Sequence, residues 1–194
     1  MRISPRPITG PWKAGFTLDE HTVSSEFLGY NDRGHAQYET VRSEIGELLY
    51  RLKYQGDSSG VELLSRVTAD FVSGKGLPID IVVPIPPSKQ RSVQPVALIA
   101  KSVARRLDIA YDSKALRKVK ETPELKSMTE LNDRRAALAG AFSVSTGKLH
   151  GKSVLLLDDL YRSGASMEEA ARAIRASGAK AVYALALTRT RTKR

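Results

Sequence analysis

Val154-Leu155-Leu156-Leu157-Asp158-Asp159-Leu160-Tyr161-Arg162-Ser163-Gly164-Ala165-Ser166 joins an apolar run to two adjacent acids and then to a turn of small residues. The run has the length of a buried strand, and Met167, Ala170, Ala171 and Ile174 follow with helical spacing until Gly178. A strand that delivers two carboxylates to its carboxyl end and opens through a glycine turn into a helix lies where parallel sheets bind ligands. The first turn of the helix carries N–H groups without intrahelical partners and the positive end of the macrodipole. Gly164 and Ala165 let an anion approach that backbone, and Ser163 and Ser166 add hydroxyl donors. The stretch therefore predicts a phosphate held by residues 162 to 166 and a diol held one sugar away by Asp158 and Asp159. The competing structural reading is a capping box from Ser166 to Glu169, with the acids merely ending a strand. Capping requires neither paired acids nor a glycine turn.

The rest of the chain is read outward from this segment. Ile79-Asp80-Ile81-Val82-Val83 is a β-branched run stopped by Pro84, Pro86 and Pro87, and residues 181 to 187 form another apolar strand. Between the strands, Val96, Ile99, Ala100, Val103 and Leu107 recur as a helix face. Weaker strands are expected at 115 to 119 and 141 to 144, and a short helix at 131 to 138. The charged, proline-containing stretch from 120 to 129 reads as a loop with the composition of a lid. Upstream, Val41, Ile45, Leu48, Leu49 and Leu52 predict a helix ended by Gly56-Asp57, and Leu64, Val67 and Phe71 predict a second. Residues 1 to 38, rich in Pro, Gly, Ser and Thr, read as an irregular arm or short hairpin. Strands alternating with amphipathic helices imply an α/β fold: a twisted, mainly parallel sheet flanked by helices, with a small N-terminal helical extension. The expected division is an arm and helical or hood extension over 1–76, a core over 77–190 and a basic tail over 191–194.

Composition narrows the function classes. With no cysteine in 194 residues there is no disulfide framework and no thiolate metal site, which predicts a cytoplasmic setting. Residues 1 to 12 lack an apolar run, so neither a signal peptide nor a membrane anchor is expected. His21, His35 and His150 are scattered and predict no metal site. The formal charge of +10, partly carried by Arg189, Arg191, Lys193 and Arg194, suits a polyanionic small ligand as well as a nucleic acid. One Trp and four Phe, with no aromatics set among basic runs, give no visible platform for stacking single-stranded bases. Neither a phosphate-binding G-x-x-x-x-G-K-[ST] loop nor a dinucleotide G-x-G-x-x-G turn occurs.

The 154 to 166 stretch resembles the signature of type I phosphoribosyltransferases for 5-phosphoribosyl 1-diphosphate (PRPP). In that family the two acids hold the ribose hydroxyls and the next loop holds the 5′-phosphate. The resemblance runs from about residue 48 to 189 and is most specific to the ComF-like branch. Leu52-Lys53-Tyr54-Gln55-Gly56-Asp57 is similar to an element of that branch, and Asp80-Ile81-Val82-Val83-Pro84-Ile85-Pro86 resembles its first core strand. Leu116-Arg117, Thr122-Pro123, Arg134-Arg135 and Gly140-Ala141-Phe142 then follow in the expected order. The chain departs from the branch in lacking the N-terminal cysteine zinc site and in the short loop from Pro87 to Gln94. It departs again in Leu125 and Ala137, and in Arg162-Ser163-Gly164 where Thr-Thr-Gly is common.

What the resemblance implies is displacement of pyrophosphate from C1 of PRPP by a nitrogen base, with Mg²⁺ carried on PRPP and Asp158 and Asp159 as the protein groups nearest to it. Asp158, Asp159 and Lys89 are the candidate catalytic residues. The binding set adds Leu160, Tyr161, Arg162, Ser163, Gly164, Ala165 and Ser166, with Ser88, Lys89, Arg91 and Arg117 for the pyrophosphate. The acceptor base is not identified, and oligomeric state is left open, with a homodimer as one candidate. Two rival readings stand beside the enzyme: a regulatory protein that binds PRPP or a nucleotide without turnover, and a nucleic-acid accessory in DNA uptake.

Overall fold

A computed structural model describes residues 1 to 87, 94 to 120 and 131 to 191. The chain runs β1 (Arg6–Pro7), β2 (Ala14–Glu20), β3 (Thr22–Tyr30), β4 (Ala36–Arg42), α1 (Glu44–Tyr50), a π-helical turn (Arg51–Gln55) and α2 (Val61–Gly74). It continues through β5 (Ile81–Pro84), α3 (Pro95–Leu107), β6 (Ala110–Tyr111), β7 (Leu116–Lys118), α4 (Leu131–Leu138) and β8 (Phe142–Val144). The last three elements are β9 (Ser153–Tyr161), α5 (Ala165–Ala176) and β10 (Ala181–Arg189).

The central sheet has the order β1-β2-β10-β9-β5-β6, and only the β1–β2 pair is antiparallel. Consecutive strand residues point to opposite faces, so the apolar run of β9 serves two layers. Val154 and Leu156 pack with Met167, Ala170, Ala171 and Ile174 of α5. Leu155 and Leu157 pack with Leu49, Leu52, Leu64, Ile99 and Val103 from the α1 to α3 side. This two-sided burial is why the strand is apolar without alternation. The α/β class with a mainly parallel sheet is as the sequence implied.

Three sequence expectations are corrected. Residues 1 to 38 are not an arm: β2 enters the central sheet parallel to β10, with Phe16 opposite Leu185, and only β3 and β4 form a separate hairpin. Gly15 disguises β2 in the sequence. A side chain there would collide with the Trp12 indole, whose Nε1 donates to the Ile8 carbonyl at 2.9 Å. Val41 does not begin a helix; it lies in β4, and Ser43 caps α1 by accepting from the Gly46 N–H at 3.0 Å. The strand at 154 to 157 does not stop before the acids; β9 stays paired with β10 as far as Tyr161 opposite Arg189.

Among the described residues no helix is long and apolar enough to cross a membrane. Arg189 belongs to β10 rather than to a tail, and Arg191 donates to the Val23 carbonyl at 2.6 Å. Lys193 and Arg194 lie outside the described residues.

Candidate functional site at the carboxyl edge of the sheet

Strands β2, β5, β9 and β10 end at one edge, where Glu20, Arg189 and Tyr161 lie in register. Asp158 and Asp159 stand just inside that edge. Asp158 Oδ1 accepts from the Asp159 N–H at 2.8 Å, which draws the two carboxyl groups toward each other. Burial, reinforced by the neighbouring Asp159 charge, pushes the Asp158 carboxyl up to about 8. At neutral pH Asp158 then keeps its proton and stands as a donor beside the Asp159 carboxyl.

Beyond Tyr161 the chain makes the short turn Arg162-Ser163-Gly164 and enters α5. Gly164, not Ser166, is the N-cap, with φ 81° in the left-handed region that favours glycine. Its carbonyl accepts the first helical bond, from Glu168 N at 2.8 Å. Ser166 is inside the first turn, and Glu169 Oε1 accepts from the Gly140 N–H at 2.8 Å. The capping-box reading therefore fails, and the first-turn N–H groups face the turn without a side-chain cap. The Tyr161 phenol lies against Gly164 where a side chain would stand.

The remaining expected residues are placed as follows. Leu160 and Tyr161 close β9, and Arg162, Ser163, Gly164, Ala165 and Ser166 form the turn and helix start. Ser88, Lys89 and Arg91 lie outside the described residues, as does the lid stretch beyond Lys120. The described chain before the first three includes Ile85, whose N–H donates to the Leu157 carbonyl one residue before the acids. Arg117 is exposed on the small β7–β8 ribbon, its Nε donating to Lys114 O at 3.4 Å, and it is not among the groups touching the acids.

Several groups at the site escaped sequence reasoning. Lys53 Nζ sits 2.8 Å from Asp159 Oδ2. Burial by itself lowers this ammonium, but the ion pair outweighs it and holds Lys53 above its ordinary value. Thr188, fully buried, donates to the Asp159 carbonyl at 2.8 Å and lies 3.1 Å from His21 Nδ1. A threonine has one hydroxyl proton, so Thr188 accepts from Nδ1–H and the His21 Nε2 keeps its lone pair. Burial holds the imidazole below its ordinary value despite the Asp159 charge nearby. Glu168, buried in the first turn of α5, receives two bonds of 3.0 Å from Arg135 of α4 and pairs with Arg172 at 3.4 Å. That places a compensated carboxylate beside the helix N-terminus and rivets α4 to the turn. Lys53 belongs to the quoted Leu52 to Asp57 element, so its signal was present. For His21 and Thr188 no local signal existed.

The comparisons with known proteins agree with this geometry. Residues 66–194 match the family described as phosphoribosyl transferase domain. The chain belongs to the phosphoribosyltransferase family. Within it, the chain is ComF-like: it is 30% identical over 143 residues to the competence protein ComFC of Bacillus subtilis, covering 72% of this chain and 57% of that protein. The chain thus spans a little over half of that relative. Among solved structures, adenine phosphoribosyltransferase from Trypanosoma brucei, in complex with AMP, pyrophosphate and ribose-5-phosphate, superposes with a TM-score of 0.52 at 12% identity, covering 96% of this chain and 74% of that one. Glutamine PRPP amidotransferase from Bacillus subtilis, complexed with ADP and GMP, gives 0.51 at 18% identity over 80% of this chain and 34% of that one. Both share the fold.

The raised Asp158 carboxyl has a consequence for stability. Its folded value, about 8, lies above the ordinary 3.8, so between these values the folded chain holds a proton that the unfolded chain releases. Stability contributed by this group is full below about pH 4 and declines as pH rises toward about 8. Asp158→Asn keeps an oxygen for the Asp159 N–H and cannot ionise. It should melt higher than wild type at pH 8.5 by at least about 2–4 °C, the shift that 1 kcal/mol gives a chain of this size, and by much less at pH 5. Equal differences at both pH values would contradict the buried-acid assignment.

Proposed function

We propose that the protein binds PRPP at the carboxyl end of β9 and transfers its phosphoribosyl group to a nitrogen base, releasing pyrophosphate. The observation that carries this reading is the continuity of one segment: Asp158 and Asp159 lie near the carboxyl end of β9, and the chain turns at Gly164 directly into a helix N-terminus. The 5′-phosphate sits on the N–H groups of the first α5 turn, with the Ser163 and Ser166 hydroxyls beside it. The protonated Asp158 donates to one ribose hydroxyl and Asp159 accepts from the other.

In the reaction the bond from C1 to the diphosphate oxygen breaks and its electron pair leaves with pyrophosphate. The base nitrogen forms the new bond to C1, and the proton it gives up passes to the departing pyrophosphate or to water. Positive charge grows on the ribose as the bond lengthens, and the Asp159 carboxylate lies on the side that stabilises it. Ser88, Lys89 and Arg91, on the loop leaving β5, are the candidate partners of the departing pyrophosphate, with Arg117 from β7. Lys89 is the candidate catalytic cation among them.

The residues do not form a metal cage of their own. Among the described residues no three metal-binding side chains gather, and Asp159 Oδ2 is already engaged by Lys53. Mg²⁺ accordingly belongs to the substrate, as the ion of the diphosphate. Residues 1–76 act as the extension that carries the hood, although β2 is built into the core sheet. The β3–β4 hairpin starts beside the site and exposes Phe27, Tyr30 and Tyr38, with each tyrosine ring against Phe27, a small aromatic cluster suited to a base.

Release of pyrophosphate from PRPP, measured with a panel of purine and pyrimidine bases, tests transfer. Base-dependent release supports the enzyme and names the acceptor, and Tyr38→Ala should raise the KM for the base about tenfold, the scale of one lost stacking contact. Binding without release supports the second reading, a PRPP or nucleotide sensor. The Lys53 ion pair favours that reading, because Asp159 already holds a partner that a ligand must share.

A further inference from the structure

Lys53 lies outside residues 66–194, the span that matches the family, yet its ammonium is bonded to one of the two acids that define the site. Its placement is built into the backbone. Leu52, almost wholly buried, pins the segment to the core, and α1 passes into a π-helical turn over Arg51–Gln55. The Gly56 N–H returns to Arg51 O to close that turn, and Gly56 ends it at φ 70°. A widened turn shifts the side chains that follow relative to a regular helix, and such turns recur at functional positions. Here the result is that Lys53 reaches Asp159.

Asp159 is held at three points. Its carboxylate meets Lys53, its carbonyl accepts from Thr188, and its N–H donates to Asp158. Lys53 thereby fixes Oδ2 of that carboxylate. An anionic ligand approaching the Asp159 carboxylate is repelled unless a cation offsets its charge.

We propose that Lys53 is a positioning residue that takes at Asp159 the place a protein-bound divalent cation would take, fixing the carboxylate and offsetting its charge so that the sugar diol is bound without a metal held by the protein. This rests on the sugar-phosphate reading of the site, and the probe is chosen to keep the two apart. Ribose 5-phosphate engages the acids and the phosphate turn but has no diphosphate to carry a metal.

The test is calorimetric titration of the full chain with ribose 5-phosphate, in MgCl₂ and in EDTA. Wild type should bind within about twofold of the same affinity in both. Lys53→Met should bind about tenfold or more weakly in EDTA, the scale of one charge-assisted hydrogen bond, and regain part of that loss when Mg²⁺ is added. Lys53→Arg should stay within about threefold of wild type. A merely structural lysine would not create a Mg²⁺ response, and Lys53→Gln gives the same comparison if the methionine variant does not fold. Wild-type binding that disappears in EDTA overturns the proposal alone, as does a folded Lys53→Met or Lys53→Gln that binds like wild type in EDTA. Absence of wild-type binding in both buffers overturns the sugar-phosphate reading and this proposal with it.

Discussion

Asp158→Asn combined with Asp159→Asn should reduce PRPP affinity by at least about 100-fold while leaving the fold intact. Asp159 supplies a charge-assisted hydrogen bond to a ribose hydroxyl, worth about 1.5–3 kcal/mol, and Asp158 a neutral one of about 1 kcal/mol. Together they amount to about two powers of ten in the dissociation constant. The two positions differ in kind. The Asp158 carboxyl is pushed up to about 8 and already behaves as a neutral donor at pH 7, so Asp158→Asn alone is the milder change. Asp159→Asn removes the ionised acceptor and strands Lys53, which makes it the more severe one. Calorimetry on the two single variants and the double, with melting curves as the check on folding, distinguishes this order. Equal losses from the singles would contradict the division of roles, and a folded double variant with wild-type affinity would remove the acids from the site.

Gly164→Val should lose PRPP binding by about tenfold or more and also lower stability. Gly164 has φ 81°, which a β-branched residue adopts at a penalty of about 1–2 kcal/mol. The added side chain would also meet the hydroxyl end of the Tyr161 ring, which would have to shift. Because Gly164 caps α5, any adjustment moves the N–H groups proposed to hold the phosphate. Gly164→Ala meets the same backbone and ring with less bulk and should be intermediate. Titration with PRPP and with ribose 5-phosphate should show parallel losses, since both present the same 5′-phosphate. Loss confined to PRPP would mean that the turn holds the diphosphate instead.

How much of this was legible in the sequence differs from element to element. Strand β9 and helix α5 were plain because an unbroken apolar run, two acids and a glycine turn each answer to a different physical demand and occur in one register. Strand β2 was hidden because it opens on Ala14-Gly15, with the glycine packed against Trp12, and because its partner β10 lies some 170 residues away in sequence. Val41 joined a helical spacing by coincidence; its period continued into α1, but the cap at Ser43 decided the boundary. At the site, Asp158, Asp159 and Gly164 could be read locally because their roles are written into one segment. The Lys53 segment was legible only as part of a motif, without its role, and His21 was not legible at all, since Lys53 meets Asp159 and His21 meets Thr188 through tertiary packing over more than 100 residues of intervening chain. Glu168 was overlooked for a different reason. A glutamate in a first helical turn is common, and only its burial beneath Arg135 distinguishes it.

The central claim, that the edge formed by Asp158, Asp159 and the α5 N-terminus is a PRPP site, is tested most directly by calorimetric titration of the purified chain with PRPP in the presence and absence of Mg²⁺. The titration should show saturable one-to-one binding that the Asp158→Asn, Asp159→Asn double variant loses. Heats indistinguishable from dilution for the folded wild-type protein in both buffers would contradict it.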